Sequence, residues 1–482
     1  MTNIKFYKQQ NIPIEMHRAR IVQTLSLIPI EERLKCLVAA GNNTFLLSNK
    51  DIFLDLLTDS GINAMSDNMQ AAMLVADDSY AGSRTYDRMK EKIQYIFGMK
   101  YFLPTHQGRA SENILVKCFV KPGDIVPMNV RFDSIKGFIK DAGANFIELI
   151  SDSAYEIQSD NMFKGNIDIN KLNELLKVTP KEKIPFLRIE AGANLIGGQP
   201  VSLENIEKVS RICKKYKILL VMDASLLQDN LYFIKKREKK FADLSILEIT
   251  KKIASLVDII YFSARKLGFA RGGGICVRNE KIYKKMLPLI PMYEGFITYG
   301  GMSVHEMEAI TVGLDETMNE DIISQGPQFI EYMVNKLREY NIPVVTPSGG
   351  LGVHIDAKKF LEHIPCGEYP AGALSAALYL CSGVRSMERG SISEERDKNG
   401  RENFARMELV RIALPRRVYT LSHIKYVIDR LKWLYDNRKL IGGLKFIYEP
   451  SDLRFYFGKL IETSDWQEEL VKKYINDFST NL

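Results

Sequence analysis

Between residues 86 and 280 the chain alternates two hydrophobic patterns. Short, nearly continuous apolar runs predict strands at Phe146 to Ile150, Phe186 to Glu190, Ile218 to Asp223 and Val257 to Ser263. Apolar residues at helical spacing predict helices over Ile93 to Phe97, Ser111 to Val120 and Leu203 to Tyr216. Strands that read as apolar on both faces, separated by helices, predict an α/β domain with a mostly parallel sheet. After about residue 320 the pattern changes. Long helical stretches at Tyr332 to Tyr340, Ala371 to Cys381 and His423 to Tyr435 flank short strands, which predicts a smaller α+β domain. The expected division is 1–57 as an N-terminal arm and part of the small domain, 58–320 as the large domain, and 321–482 as the small C-terminal domain. Residues 394–406 are polar and charged and read as a mobile surface loop.

Composition narrows the class. A chain of 482 residues with 46% hydrophobic and 26% charged positions is an ordinary globular protein of more than one core. Its net charge of +7 is spread among mixed charges, and the densest basic stretch, Lys235 to Lys240, reads as a solvated helix face rather than a nucleic-acid surface. The six cysteines form no C-x-x-C pair, which points to a reducing, cytoplasmic setting. Met1 to Phe6 lacks the apolar core of a leader, and no apolar run is long enough to span a bilayer.

The chemistry gathers at two strand ends. One apolar strand ends on Asp223; another is followed by Ser263-Ala264-Arg265-Lys266 and then by Gly272-Gly273-Gly274. Alone, Asp223 reads as a helix cap and Lys266 as a solvated lysine. Together, at the carboxyl ends where such sheets bind ligands, they suit pyridoxal phosphate: the lysine as Schiff-base amine, the carboxylate as partner of the pyridine nitrogen. The turn Gln107-Gly108-Arg109 before a helix offers phosphate backbone N–H groups and a guanidinium, and the Ser263 hydroxyl adds a donor.

Longer runs carry a resemblance. Leu56 to Gly61, Asn63 to Asp67, Pro104 to Arg109, Gly197 to Ser202, Tyr232 to Lys235, Thr298 to Gly301, Val384 to Gly390 and Gly443 to Pro450 resemble the β-eliminating lyases, the tyrosine phenol-lyase and tryptophanase family. Met387 to Gly390 and Phe446 to Tyr448 bring the chain closer to the phenol-lyase branch. The resemblance implies the aminotransferase-like fold of type I pyridoxal phosphate enzymes, and β-elimination of an aromatic L-amino acid to pyruvate, ammonia and a phenol-like leaving group. It implies Lys266, Tyr80 and Asp223 as catalytic residues, with Tyr80 protonating the leaving group from across a subunit interface. Gln107, Gly108, Arg109, Phe132, Asn194 and Ser263 would hold the cofactor. Thr58, Ser60, Arg389 and Arg411 would bind the substrate, Arg411 at its carboxylate and Arg389 at a ring hydroxyl. The alternative reading is a buried core tyrosine for Tyr80 and a salt bridge at the loop base for Arg389. A homotetramer and a K+ site near Gly61, Asp78 and Arg271 are implied as well; a membrane or nucleic-acid partner is not. The chain departs from the family at Arg265, Leu226, Leu351 and Asp133. Leu226 stands where both lyases carry an arginine that contacts the ring oxygen, and Leu351 where the phenol-lyase has a pocket histidine. These two changes keep open a different reaction on the same scaffold: C–S β-elimination, retro-aldol cleavage or a biosynthetic step on a modified amino acid.

Overall fold

The computed structural model describes Phe6 and residues 12–482; the rest of Met1 to Phe6 lies outside the described residues. The chain divides into two compact units. The first comprises Ser60–Ala154 and Asn161–Pro327; the second comprises the segment ending at Asp59, Tyr155–Asp160 and Gln328–Leu482.

The first unit is built on a seven-stranded sheet. Its strands in chain order are β1 (Tyr101–Thr105), β2 (Ile125–Met128), β3 (Asn145–Glu148), β4 (Phe186–Glu190), β5 (Leu219–Asp223), β6 (Ile259–Ser263) and β7 (Gly273–Val277). Their spatial order is β1-β7-β6-β5-β4-β2-β3. The pairs from β6 to β3 are parallel, while β7 runs antiparallel to both β6 and β1. Strands β4, β5 and β6 are almost wholly buried, because helices cover both faces. Side chains alternate between the faces. Leu220 and Met222 join one core with Ile206, Val209 and Ile253, while Val221 joins the other with Ile114, Ile135 and Ile259. Asp223 therefore continues the face covered by helix α1 (Gly108–Phe119).

Local signals explain the helices. Leu203–Tyr216 begins where the Ser202 side chain accepts the Asn205 N–H and ends on left-handed Lys217. Ile246–Leu256 opens with a capping box of Ser245 and Glu248. The basic stretch ends Leu227–Arg237, where Lys235 donates to the Ala242 and Leu244 carbonyls.

In the second unit, Gly352–Asp356, Leu409–Ala413 and Met387–Arg389 form an antiparallel three-stranded sheet with Leu409–Ala413 in the middle. Helix Pro370–Ser382 is apolar nearly all round and buried along its length, within one core that also takes Leu37, Leu431 and Leu470. Residues 394–406 form no helix or strand. They are tied down by Arg396 to Glu449 and by Glu402 to Arg454, the latter a short contact. All six cysteines are free. No helix among the described residues is long and apolar enough to cross a membrane.

Candidate active site

The Gln107-Gly108-Arg109 turn is a close packing of three chain segments. Helix α1 begins at Gly108, three residues before the start expected from hydrophobic spacing, because Gln107 turns the chain from extended backbone directly into the helix. A Cβ on Gly108 would lie 2.8 Å from Ser263 Cβ. A Cβ on Gly273 would lie 2.8 Å from the Gln107 carbonyl carbon and 3.0 Å from Gly108 N. Only glycine permits this approach. The first two N–H groups of α1, on Gly108 and Arg109, have no intrahelical acceptor, an arrangement that suits an anion. Positive charge gathers here too. Burial, then Arg271 and Arg109, lower the hold of Arg265 on its proton. The Arg265 guanidinium packs against Gly61, whose N–H donates to the Arg265 carbonyl at 3.2 Å.

One strand over, the Asp223 carboxylate is buried. Its Oδ1 accepts the Ser225 N–H at 2.9 Å, and its Oδ2 accepts Arg188 Nη2 at 2.7 Å and lies 3.1 Å from the Tyr261 hydroxyl. The Ser225 hydroxyl in turn accepts the Ser263 N–H at 3.0 Å, so the Asp223 and Ser263 ends are linked. The Lys266 amine lies 5.8 Å from the centre of the Phe132 ring. Asn194 is buried in the turn after β4, and its N–H donates to Glu190 Oε1 at 3.0 Å. Burial pushes the Glu190 carboxyl up to about 7, against the pull of Arg188. Leu226 is buried, and its Cβ lies 2.9 Å from the position a Cβ on Gly192 would take, so an apolar side chain fills the space beside the Asn194 turn.

Tyr80 is 67% exposed and stacks on Phe296 at 4.8 Å, so it is not a core tyrosine. It lines a cavity of about 480 Å³ with Asp78, Tyr299 and His305. The structure joins Arg271 to Glu306, whose Oε2 accepts the Arg271 N–H at 2.9 Å. Among the described residues there is no cluster of three or more His, Cys, Asp or Glu side chains suited to a metal ion.

Within the second unit, Arg389 and Arg411 are both buried on the small sheet. Arg411 pairs in register with His354 and Met387, and its Nη2 donates to the Leu57 carbonyl, next to Thr58, at 2.9 Å. Burial, Arg411 and Arg389 together lower the His354 pKa to about 3, so this imidazole is neutral. Ser60 opens the first unit. Leu351 is buried with φ of 69°. Asp133 starts the helix that follows Phe132.

Sequence reasoning missed Arg188, Glu190, Glu112, Tyr261 and His354. The signal for the first two was present: two charged residues at alternate positions of a strand otherwise read as buried.

The description "Beta-eliminating lyase" matches residues 55–430. The chain belongs to the β-eliminating lyases. This lyase is 39% identical over 449 residues to the tyrosine phenol-lyase of Pasteurella multocida, across 93% of this chain and 98% of the relative. It is 42% identical over 448 residues to that of Lacrimispora saccharolytica, across 92% of this chain and 96% of the relative. By fold it resembles the Sphingomonas wittichii serine palmitoyltransferase, with a TM-score of 0.58 at 12% identity over 86% of this chain and 97% of that one. It also resembles the Leishmania major threonine aldolase, with a TM-score of 0.56 at 14% identity over 79% of this chain and 99% of that one. The expected type I fold and the family are thus borne out, and the protein is a pyridoxal phosphate-dependent lyase of the β-eliminating class.

Proposed function

We propose that this lyase cleaves an aromatic L-amino acid carrying a ring hydroxyl, with tyrosine or a close relative as substrate. With one water consumed, the products are pyruvate, ammonia and the phenol. The observation that carries the substrate is the placing of Arg389, a guanidinium buried in the small sheet with Arg411 and a neutral His354, where a hydrogen bond to a hydroxyl discriminates strongly between substrates. The names of the relatives point the same way.

The donor set fits pyridoxal phosphate. Gln107, Gly108, Arg109 and Ser263 would hold its phosphate, where the glycine packing and the neighbouring guanidiniums favour an anion. Asp223 would accept the hydrogen bond of the ring nitrogen, Asn194 would donate to the ring oxygen, and Phe132 would stack on the ring. Bound at Lys266, the cofactor supplies an electron sink for the pair left when the α-proton departs. The Lys266 amine carries that proton. Arg411 grips the substrate carboxylate, Thr58 and Ser60 line its pocket, and Tyr80 delivers a proton to the leaving carbon of the ring. The exposure of Tyr80 suits its covering by a second copy of the chain, and a homotetramer is the proposed assembly. A K+ ion at Gly61, Asp78 and Arg271 belongs to the same proposal.

One observation favours a second reading. Leu226 fills with apolar surface the place of a contact to the ring oxygen. A substrate with a better leaving group, such as an S-alkyl cysteine, needs that contact less. C–S β-elimination is therefore the alternative, ahead of retro-aldol or biosynthetic steps.

Arg389→Ala separates the two. Losing a charged hydrogen bond of about 1.5–3 kcal/mol should cut kcat/KM for tyrosine by roughly one to two orders of magnitude. Pyruvate release from S-methyl cysteine should be spared. Equal losses on both substrates would make Arg389 structural and remove the argument for a hydroxylated substrate.

A further inference from the structure

Around Asp223 lies a buried charge cluster whose other members have no role in the chemistry above. Strand β4 pairs in parallel with β5, so Glu190 lies beside Asp223 and Arg188 beside Val221, all on the α1 face. The Arg188 fork is fully buried and fully engaged. Nη2 donates to Asp223 Oδ2 at 2.7 Å, Nη1 and Nη2 to Glu190 Oε2 at 3.2 Å, Nη1 to the Val130 carbonyl at 3.2 Å, and Nε to the Tyr261 hydroxyl at 2.7 Å. Tyr261 has one proton to give, to Glu112 Oε1 at 2.9 Å or to Asp223. Glu112 also accepts the Ser134 hydroxyl in a short contact and lies 3.8 Å from Arg188. One guanidinium thus serves three carboxylates, Glu112, Glu190 and Asp223. Burial raises both glutamates, and the charge of Lys266 acts on Glu190 from outside the cluster.

Two members of the cluster reach the two ring-facing residues. Arg188 holds the carboxylate assigned to the ring nitrogen, and Glu190 holds the N–H of Asn194, assigned to the ring oxygen. Leu226 brings only an apolar side chain beside the Asn194 turn. We propose that Arg188 and Glu190 are positioning residues for the cofactor ring: Arg188 sets how much negative charge Asp223 presents to the ring nitrogen, and Glu190 draws part of the Arg188 charge away while fixing the Asn194 turn. This rests on the assignment of Lys266 and Asp223 to the cofactor. A guanidinium shared with Glu190 pulls less on Asp223 than an unshared one. The proton on the ring nitrogen, and with it the strength of the electron sink, follows from that division of charge.

The experiment reads the ring nitrogen directly. Enzyme loaded with pyridoxal phosphate labelled with nitrogen-15 in the ring is titrated by NMR, and borohydride reduction with peptide mapping locates the attachment. Glu190→Gln leaves the Arg188 charge undivided on Asp223, so the ring nitrogen should lose its proton about one pH unit lower than in wild type. Arg188→Gln/Glu190→Gln removes both charges and should move the midpoint back, to the wild-type value or above. The double variant keeps the net charge of the wild-type cluster, so it serves where the single one fails to fold, and its midpoint then compares with wild type alone. A Glu190→Gln midpoint equal to wild type, or a double variant whose midpoint falls below wild type, overturns the proposal. A purely structural pair would lower the melting temperature without moving the nitrogen signal. Wild type that takes up no cofactor at Lys266 overturns the underlying assignment, and the proposal with it.

Discussion

Replacing Gly108 with alanine tests the phosphate turn through a single methyl group. The added Cβ would stand 2.8 Å from Ser263 Cβ and 3.2 Å from both Ser263 Cα and N. Carbon atoms pack at about 3.5–4.0 Å, so the start of α1 must retreat from β6 by about 0.7 Å or more. Neither partner can swing aside, because Ser263 Cβ is fixed to a buried strand and Gln107 is pressed against Gly273. Such overpacking costs about 1–3 kcal/mol of stability. A donor displaced by about 0.7 Å from an ordinary 2.9 Å bond is no longer a hydrogen bond. Losing one such bond to a phosphate, about 1.5–3 kcal/mol, weakens cofactor binding roughly 10- to 100-fold. Equilibrium dialysis of pyridoxal phosphate against Gly108→Ala and wild type measures this, with circular dichroism confirming the fold. An affinity within twofold of wild type would show that the N–H groups of α1 do not bind the phosphate, and the assignment of the turn would fall.

Three further variants probe other parts of the molecule. Lys266→Ala should fold and lose all borohydride-fixed cofactor; a labelled peptide elsewhere would move the attachment to another lysine. Leu226→Arg should raise tyrosine cleavage, measured as pyruvate, if the apolar side chain beside the Asn194 turn is what limits it; unchanged turnover would favour the C–S substrate. Glu388 is buried, and burial with the nearby Glu408 pushes its carboxyl up from 4.5 to about 7. Between those values the folded chain binds a proton that the unfolded chain has released, so stability falls as pH rises through the window, and the penalty is complete above pH 7. At about 1.4 kcal/mol per unit the penalty is about 3 kcal/mol, so Glu388→Gln should raise the melting temperature at pH 8 and leave it nearly unchanged at pH 5. An equal effect at both pH values would mean that Glu388 is not protonated in the folded chain.

The strand ends were legible because they combine a simple pattern with a rare residue. An apolar run that stops on Asp223, and another that leads to Lys266, can be seen without knowing which strands pair. Helix Leu203–Tyr216 was legible to the residue from its apolar spacing, to which the structure adds the Ser202 cap and the left-handed Lys217. The start of α1 was not, since Gln107-Gly108-Arg109 has the composition of a turn and only the contact with Ser263 shows why the helix begins there. The direction of β7 was hidden for a similar reason. Nothing in Gly273–Val277 says that it runs antiparallel; the sheet decides that. Arg188 and Glu190 were visible as anomalies, but their partners Glu112, Asp223 and Tyr261 lie far away in sequence and meet only in the folded sheet. His354 looked like any strand residue until the register placed Arg411 beside it.

The meeting of Gly108, Ser263 and Gly273 also bears on how the protein acquires its cofactor. The first two are 155 residues apart in the chain, and the third comes ten residues later on a strand that must slot between β1 and β6. Contacts at such separation form only after the intervening chain has been ordered, at a large loop-closure cost. No short stretch of this sequence contains all three of these segments. On the proposed assignment of this turn to the phosphate, the cofactor would not act as a template early in synthesis. It arrives at a finished cleft, stabilises that state by mass action, and leaves the order of assembly to the polypeptide.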